Sequence, residues 1–247
     1  MAVIPQIIAG NWKMNLTLSQ GEEFIDILLS KLSGKEFSRQ LLLAPNFTLL
    51  AALARRCIGS DIGLAAQNCA SQEAGAFTGE TSVAMLKDAG AAYVLVGHSE
   101  RRQIFGERDD LLRLKARVVT SGGLVPIFCV GETLDQRQGG QAFEVISDQL
   151  RCGLDEFPGS QLIVAYEPVW AIGTGQTATP EDACTMHAHI RKFLEAQFFW
   201  GERVPILYGG SAKPENAAEL LAQPEVNGLL VGGAALDPDS FLQIALA

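Results

Sequence analysis

The run Leu162-Ile163-Val164-Ala165-Tyr166-Glu167-Pro168 is an unbroken apolar segment that stops on a carboxylate and a proline. A near-continuous apolar run, rather than an alternating one, suits a parallel β-strand covered on both faces. Working outward, similar runs recur at about thirty-residue spacing. They cover residues 4–9, 40–44, 63–66, 92–96, 124–130, 204–208 and 228–231. Helical periodicity falls between most of them, over 22–31, 111–119, 142–150, 181–196 and 215–221. Several helices announce their starts. Thr179-Pro180-Glu181-Asp182 offers an N-cap, a proline at the first helical position and acids in the first turn, and Pro214-Glu215 and Asp237-Pro238-Asp239 are similar. Eight strand–helix alternations without a linker or low-complexity segment predict a single-domain (β/α)8 barrel over residues 1–247. A doubly wound sheet normally stops nearer about six strands.

Composition narrows the classes of partner. The formal net charge is −9, and no Lys/Arg cluster supplies the basic face that a nucleic-acid binder needs. An anionic membrane surface would be repelled as well. Any anionic ligand has to be held locally, by a cation or two and by oriented backbone N–H groups. No apolar stretch reaches the roughly 18 residues of a membrane span. The best candidate, 41–54, is interrupted by Pro45, Asn46 and Thr48. The first residues lack a basic region ahead of an apolar one, so no signal peptide is expected. Five scattered cysteines without a Cys-x-x-Cys pattern read as reduced thiols in a cytosol.

The residues after each strand carry the chemistry. They are Gly10-Asn11, Pro45-Asn46, Gln67-Asn68, Gly97-His98, Gly131-Glu132, Glu167-Pro168, Gly209-Gly210-Ser211 and Gly232-Gly233. A barrel gathers all eight sets on one rim, so Asn11, His98 and Glu167 are expected to share a pocket. Glu167, at the edge of an apolar core, is a candidate general base. His98 precedes Ser99-Glu100-Arg101-Arg102, which looks like a first helical turn. A helix N-terminus disfavours added positive charge, so a neutral, hydrogen-bond-donating imidazole is expected. Lys13 is the cation best placed for an anion at this rim.

Three glycine clusters, Gly173-Thr174-Gly175, Gly209-Gly210-Ser211 and Gly232-Gly233, can supply backbone donors. The last two follow the seventh and eighth strands, where barrels commonly build a phosphate site. Residues 173–178 fit the dinucleotide fingerprint Gly-x-Gly-x-x-Ala, but the strand ends before them and Pro180 starts the helix after them, so the match is accidental. Gly97-His98-Ser99-Glu100-Arg101 fails the nucleophile-elbow pattern at its last position. Cys184 and His187 share a helix face without a further ligand nearby, and no metal or cofactor is expected.

Five segments together resemble the triosephosphate isomerase family, in order from the first strand to the last. They are Gly10-Asn11-Trp12-Lys13-Met14-Asn15, Gly97-His98-Ser99-Glu100-Arg101-Arg102, residues 165–175, Tyr208-Gly209-Gly210-Ser211 and Leu230-Val231-Gly232-Gly233-Ala234. The resemblance implies the TIM barrel fold and interconversion of dihydroxyacetone phosphate and glyceraldehyde 3-phosphate, in glycolysis and gluconeogenesis, in the cytoplasm. By the same resemblance Glu167 moves the proton, a neutral His98 polarises the carbonyl and shuttles protons between the enediolate oxygens, and Lys13 and Asn11 stabilise the developing oxyanion. Glu100 is implicated in proton handling. Gly173, Ser211, Gly232 and Gly233 hold the phosphate, and 168–178 is a lid, with Trp170 anchored by Glu132 and with Tyr208 and Ser211 as a latch. The family also implies a homodimer through a protruding loop at 67–80, its Thr78 reaching the neighbour's Asn11 and Lys13. Ala235 stands where many members carry serine and is left out of the phosphate site. Two other readings remain open on residues alone: a different phosphosugar isomerase on the same barrel, or a catalytically silent barrel kept for binding.

Overall fold

The computed structural model describes residues 4–34, 37–159, 161–171 and 178–247. Eight parallel strands close on themselves in sequence order. They are β1 (Ile7–Asn11), β2 (Gln40–Ala44), β3 (Ile62–Ala66), β4 (Tyr93–Val96), β5 (Val125–Val130), β6 (Ile163–Tyr166), β7 (Ile206–Tyr208) and β8 (Gly228–Val231). Closure is made by β8 pairing with β1, Ala9 opposite Leu230 and Gly10 opposite Val231. The expected (β/α)8 barrel is therefore the observed one.

Each strand is buried on both faces, which explains its continuous apolar character. One set of side chains, including Ile7, Ala9, Leu42, Ala65, Leu95, Ile127, Ile163, Leu207 and Leu230, fills the barrel interior. The alternate set, including Ile8, Leu43, Val94, Phe128, Val164, Ile206 and Leu229, packs outward under the helices.

Two strand boundaries differ from expectation for the same reason. β1 begins at Ile7 rather than residue 4, and β7 at Ile206 rather than residue 204. Pro5 and Pro205 have no N–H to give to a ladder, so the strands start after them. At its other end β1 runs on to Asn11, which pairs with Ala44.

Ten α-helices are present among the described residues. The five read from periodicity appear as α1 (Leu18–Leu32), α5 (Asp109–Ser121), α7 (Ala142–Gly153), α8 (Pro180–Gln197) and α9 (Pro214–Leu221). The capping sequences at Thr179 and Asp237 do start helices, the latter α10 (Pro238–Leu246). Periodicity did not find α2 (Phe47–Arg56), α3 (Val83–Asp88) and α6 (Leu134–Gln138). Within the apolar segment 41–54 the strand stops at Ala44, and the Asn46 side chain starts the helix by accepting from Thr48 N–H at 3.1 Å. The same amide donates to the Asn15 and Leu16 carbonyls. Asn46→Ala should cost about 1 kcal/mol. The expected result is a thermal midpoint lowered by about 2–4 °C for a chain of this size, read by calorimetry.

Candidate active site

At the C-terminal ends of the strands lies a cavity of about 520 Å³, lined by Asn11, Lys13, His98, Glu167, Ser211, Gly232 and Gly233 among others. Glu100 lines the adjoining pocket with Asn11, Lys13 and His98. Barrel closure thus brings together groups scattered along the whole sequence. Gly173, and most of the lid expected at 168–178, lie outside the described residues.

Glu167 follows β6 and is only 1% exposed. Both carboxylate oxygens are bonded: the Ser99 backbone N–H donates to Oε2 at 2.7 Å, and His98 Nε2 lies 2.9 Å from Oε1. The backbone of Glu167 is equally fixed, its N–H reaching Val130 O at 2.7 Å. Two glycines make room for it. A Cβ on Gly131 would meet the Glu167 carbonyl oxygen at 1.9 Å, and one on Gly209 would meet Glu167 Cγ at 2.8 Å. Sequence reasoning placed both glycines on the rim and took the cluster at Gly209 for a source of donors; their close approach to Glu167 depends on strand register.

His98 caps the short helix α4 (Ser99–Gln103), its Nδ1 accepting the Glu100 N–H at 3.3 Å. In the neutral ring the single proton is therefore on Nε2, aimed at Glu167. Burial by itself would lower the pKa of this imidazole. The facing Glu167 carboxylate outweighs it, so the pKa lies above the ordinary histidine value while the two groups are paired. This influence of Glu167 adds to that of the helix N-terminus, which acts in the opposite direction. A second proton would still have to displace the Glu100 N–H from Nδ1.

Lys13 adopts φ 52°, a left-handed conformation uncommon for a residue with a side chain. Hydrogen bonds hold it there. Its N–H donates to Asn11 Oδ1 at 3.0 Å, and Gln67 Nε2 donates to its carbonyl and to Ala44 O, both at 2.8 Å. The preceding Trp12 is fully buried against Phe24. The Lys13 ammonium lies 2.8 Å from Glu100 Oε1, so the cation expected to face an anion is also paired with a carboxylate. The sequence places Gln67 on the rim and at the start of the 67–80 loop; its contact with the Lys13 carbonyl has no local sequence signal.

Behind Glu167, Glu132 is wholly buried, and its Oε1 accepts from Tyr166 Oη at 3.0 Å, Trp170 Nε1 at 2.9 Å and Arg137 Nη1 at 3.1 Å. The Arg137 guanidinium also stacks over the Trp170 ring, 4.8 Å from its centre. This places the expected Glu132–Trp170 anchor at the start of the expected lid. Burial pushes the Tyr208 hydroxyl up to about 12, with the Ala178 backbone N–H opposing it. His187 lies away from the rim chemistry: its Nδ1 faces the Glu225 carbonyl at 3.0 Å, and burial lowers it to about 4.

A parallel eight-stranded barrel with a carboxylate, an imidazole, an ammonium and glycine-rich turns on its C-terminal rim defines the class of barrel enzymes. Comparison with known proteins narrows this class. The family model described as triosephosphate isomerase matches residues 6–247. A triosephosphate isomerase of Chloroflexus aurantiacus is 49% identical over 244 residues, covering 96% of this chain and 97% of the relative. One from Porphyromonas gingivalis is 47% identical over 245 residues, covering 96% and 97%. The crystal structure of triosephosphate isomerase from Bartonella henselae superposes with a TM-score of 0.90 at 38% identity, covering 98% of each chain. The chain belongs to the triosephosphate isomerase family.

The pairing of His98 with Glu167 yields a pH prediction. A charged His98 is favoured by the carboxylate, and this attraction is lost as pH rises through the raised pKa. Glu167→Gln removes the charge and leaves burial as the leading influence. His98 should then titrate below the ordinary histidine value rather than above it, as followed by imidazole NMR; an unchanged titration would refute the assignment.

Proposed function

We infer that Glu167 is the base through which this isomerase interconverts dihydroxyacetone phosphate and glyceraldehyde 3-phosphate, the described chain acting as one catalytic domain. The observation that carries this reading is the convergence of Glu167, His98, Asn11 and Lys13 on one cavity. In the forward step the Glu167 carboxylate takes a proton from the carbon beside the substrate carbonyl. The C–H electron pair becomes the enediolate double bond, and the carbonyl pair moves onto oxygen. Glu167 exchanges its bonds to Ser99 and His98 for this carbon acid, which withdraws the charge that favours His98 protonation. His98 then acts as a neutral donor through Nε2–H, with Nδ1 occupied by the Glu100 N–H. His98 gives its Nε2 proton to the former carbonyl oxygen and recovers one from the neighbouring hydroxyl, whose electron pair forms the new carbonyl as Glu167 returns its proton to the adjacent carbon, giving the aldose.

A carboxylate cannot deprotonate so weak an acid unless the enediolate is stabilised in the same step. Fixed donors in a site that excludes water contribute about 3–4 kcal/mol each. Asn11 and Lys13 supply that stabilisation beside His98, and Glu100, 2.8 Å from the Lys13 ammonium, assists proton handling. Ser211, Gly232 and Gly233, with Gly173 from the lid, hold the phosphate dianion through N–H and hydroxyl groups. The placement of Gly232 supports this, since a Cβ there would lie 3.7 Å from Lys13 Cε. Pro168 to Ala178 closes over the site so that the intermediate keeps its phosphate. With purified protein, Glu167→Asp and His98→Gln should each lower kcat far more than they weaken substrate binding. Wild-type turnover in either would remove that residue from the mechanism.

The active assembly is a homodimer working in the cytosol, as part of glycolysis and gluconeogenesis. Met14 and Phe105, which line the Glu100 pocket, and Phe77, in the 67–80 loop, are large apolar side chains left exposed. A second copy inserting its Thr78 into that pocket, beside Asn11 and Lys13, would cover them. For the compartment, the support is chemical: Cys57 and Cys69 are buried thiols, pushed up to about 11 and about 12, chiefly by burial, and all five cysteines are free. No described helix is long and apolar enough to cross a membrane. Phe77→Asp should shift the protein to monomer by sedimentation velocity and lower kcat in parallel. A fully active monomer would contradict the shared site.

A further inference from the structure

Arg102 lies in α4, four residues beyond His98, and its side chain is 10% exposed. The nitrogens of its guanidinium are divided among three acceptors on three segments. Nε donates to Gly97 O at 3.0 Å, Nη2 to Cys129 O at 3.0 Å, and Nη1 to Asp109 Oδ1 at 2.6 Å in the first turn of α5. The Arg102 backbone N–H also bonds His98 O at 3.2 Å. One residue therefore grips both carbonyls that flank the His98 Cα. Gly97 itself sits at φ 76°, and a Cβ there would lie 3.4 Å from both Nε and Nη2, so the guanidinium is packed directly beneath the turn. Through Cys129 O the same group ties the end of β4 to β5, and Gly131, the residue after β5, packs against the Glu167 backbone.

We propose that Arg102 is a positioning residue that fixes the His98 imidazole against the reacting oxygen by clamping the Gly97–His98 peptide to the end of β5. Lysine cannot reproduce it, because a single ammonium does not span three acceptors lying in the plane of a guanidinium fork. The residue touches no substrate. Its effect is on geometry, where a displacement of about 1 Å at a catalytic group costs up to about a hundredfold in rate. The proposal rests on His98 acting in the reaction, so the test separates the two claims.

The test compares Arg102→Lys, His98→Gln and the double variant, with the exposed Arg113→Ala on α5 as a charge-deletion control. Arg102→Lys should lower kcat for glyceraldehyde 3-phosphate about 10–100-fold. KM and inorganic phosphate inhibition should stay within about twofold, because the phosphate turns follow other strands. Its His98 Nε2–H resonance should shift or broaden, while Arg113→Ala matches wild type in every readout. In the His98→Gln background Arg102→Lys should cause no further loss of kcat, since two residues acting through one group are not additive. Independent, multiplicative losses, or wild-type kcat in Arg102→Lys, would overturn the proposal. If Arg102→Lys does not fold, Asp109→Asn loosens the same clamp. A several-fold fall in kcat at constant KM then supports the proposal, and an unchanged kcat overturns it. Wild-type turnover in His98→Gln would overturn the reading of His98 itself, and the clamp's purpose with it.

Discussion

The carboxylate of Glu167 is the group around which the rim is arranged. A buried carboxylate loses its hydration and is tolerated only when other donors replace the water. Here the replacements, the Ser99 N–H and His98 Nε2, both come from the turn after β4, two strands away from β6. The intervening strand has to end in a residue that lets the two sides meet, and Gly131 leaves that gap. Barrel closure and strand register are therefore conditions for the charge to sit where it does. The side chains filling the interior beneath it supply the rigidity that keeps the register from slipping.

Electrostatics at the site are arranged locally, against the net charge of the molecule. The Lys13 ammonium is balanced by Glu100, so the pair adds little net charge to the mouth of the cavity. On the proposed function, fixed backbone N–H groups after β7 and β8 meet the dianion, and these carry no titratable proton and need no reorganisation when the ligand arrives. Another buried carboxylate, Glu132, serves structure: it collects Tyr166, Trp170 and Arg137 at the point where the chain leaves β6.

Eight strands were legible because a strand buried on both faces has no polar positions to interrupt it. The errors at β1 and β7 come from Pro5 and Pro205, apolar by composition yet unable to pair. Helix α2 was hidden because its apolar residues follow β2 with only Pro45 and Asn46 between, so the periodicity of strand and helix ran together. Helices α3 and α6 span barely more than a turn and present little period to read. On the rim, Asn11, His98 and Glu167 stood out as polar residues ending apolar runs. The donor role of Ser99 and the Gln67–Lys13 contact did not, because one acts through its backbone and the other through a carbonyl 54 positions away in sequence. The influence of Glu167 on His98 was equally invisible, since it arises from a contact between turns on non-adjacent strands.

The left-handed backbone at Lys13 carries a consequence for how this sequence can change. Such a conformation costs a residue bearing a side chain on the order of 1–3 kcal/mol, and glycine would be relieved of it. The position would thus favour glycine for durability, while glycine would remove the ammonium that pairs with Glu100. Random drift or laboratory selection for heat resistance would be drawn toward this spot, and on the proposed mechanism a variant that gained there would be sturdier and chemically idle. The strained lysine marks a place where the interests of the scaffold and of the reaction diverge.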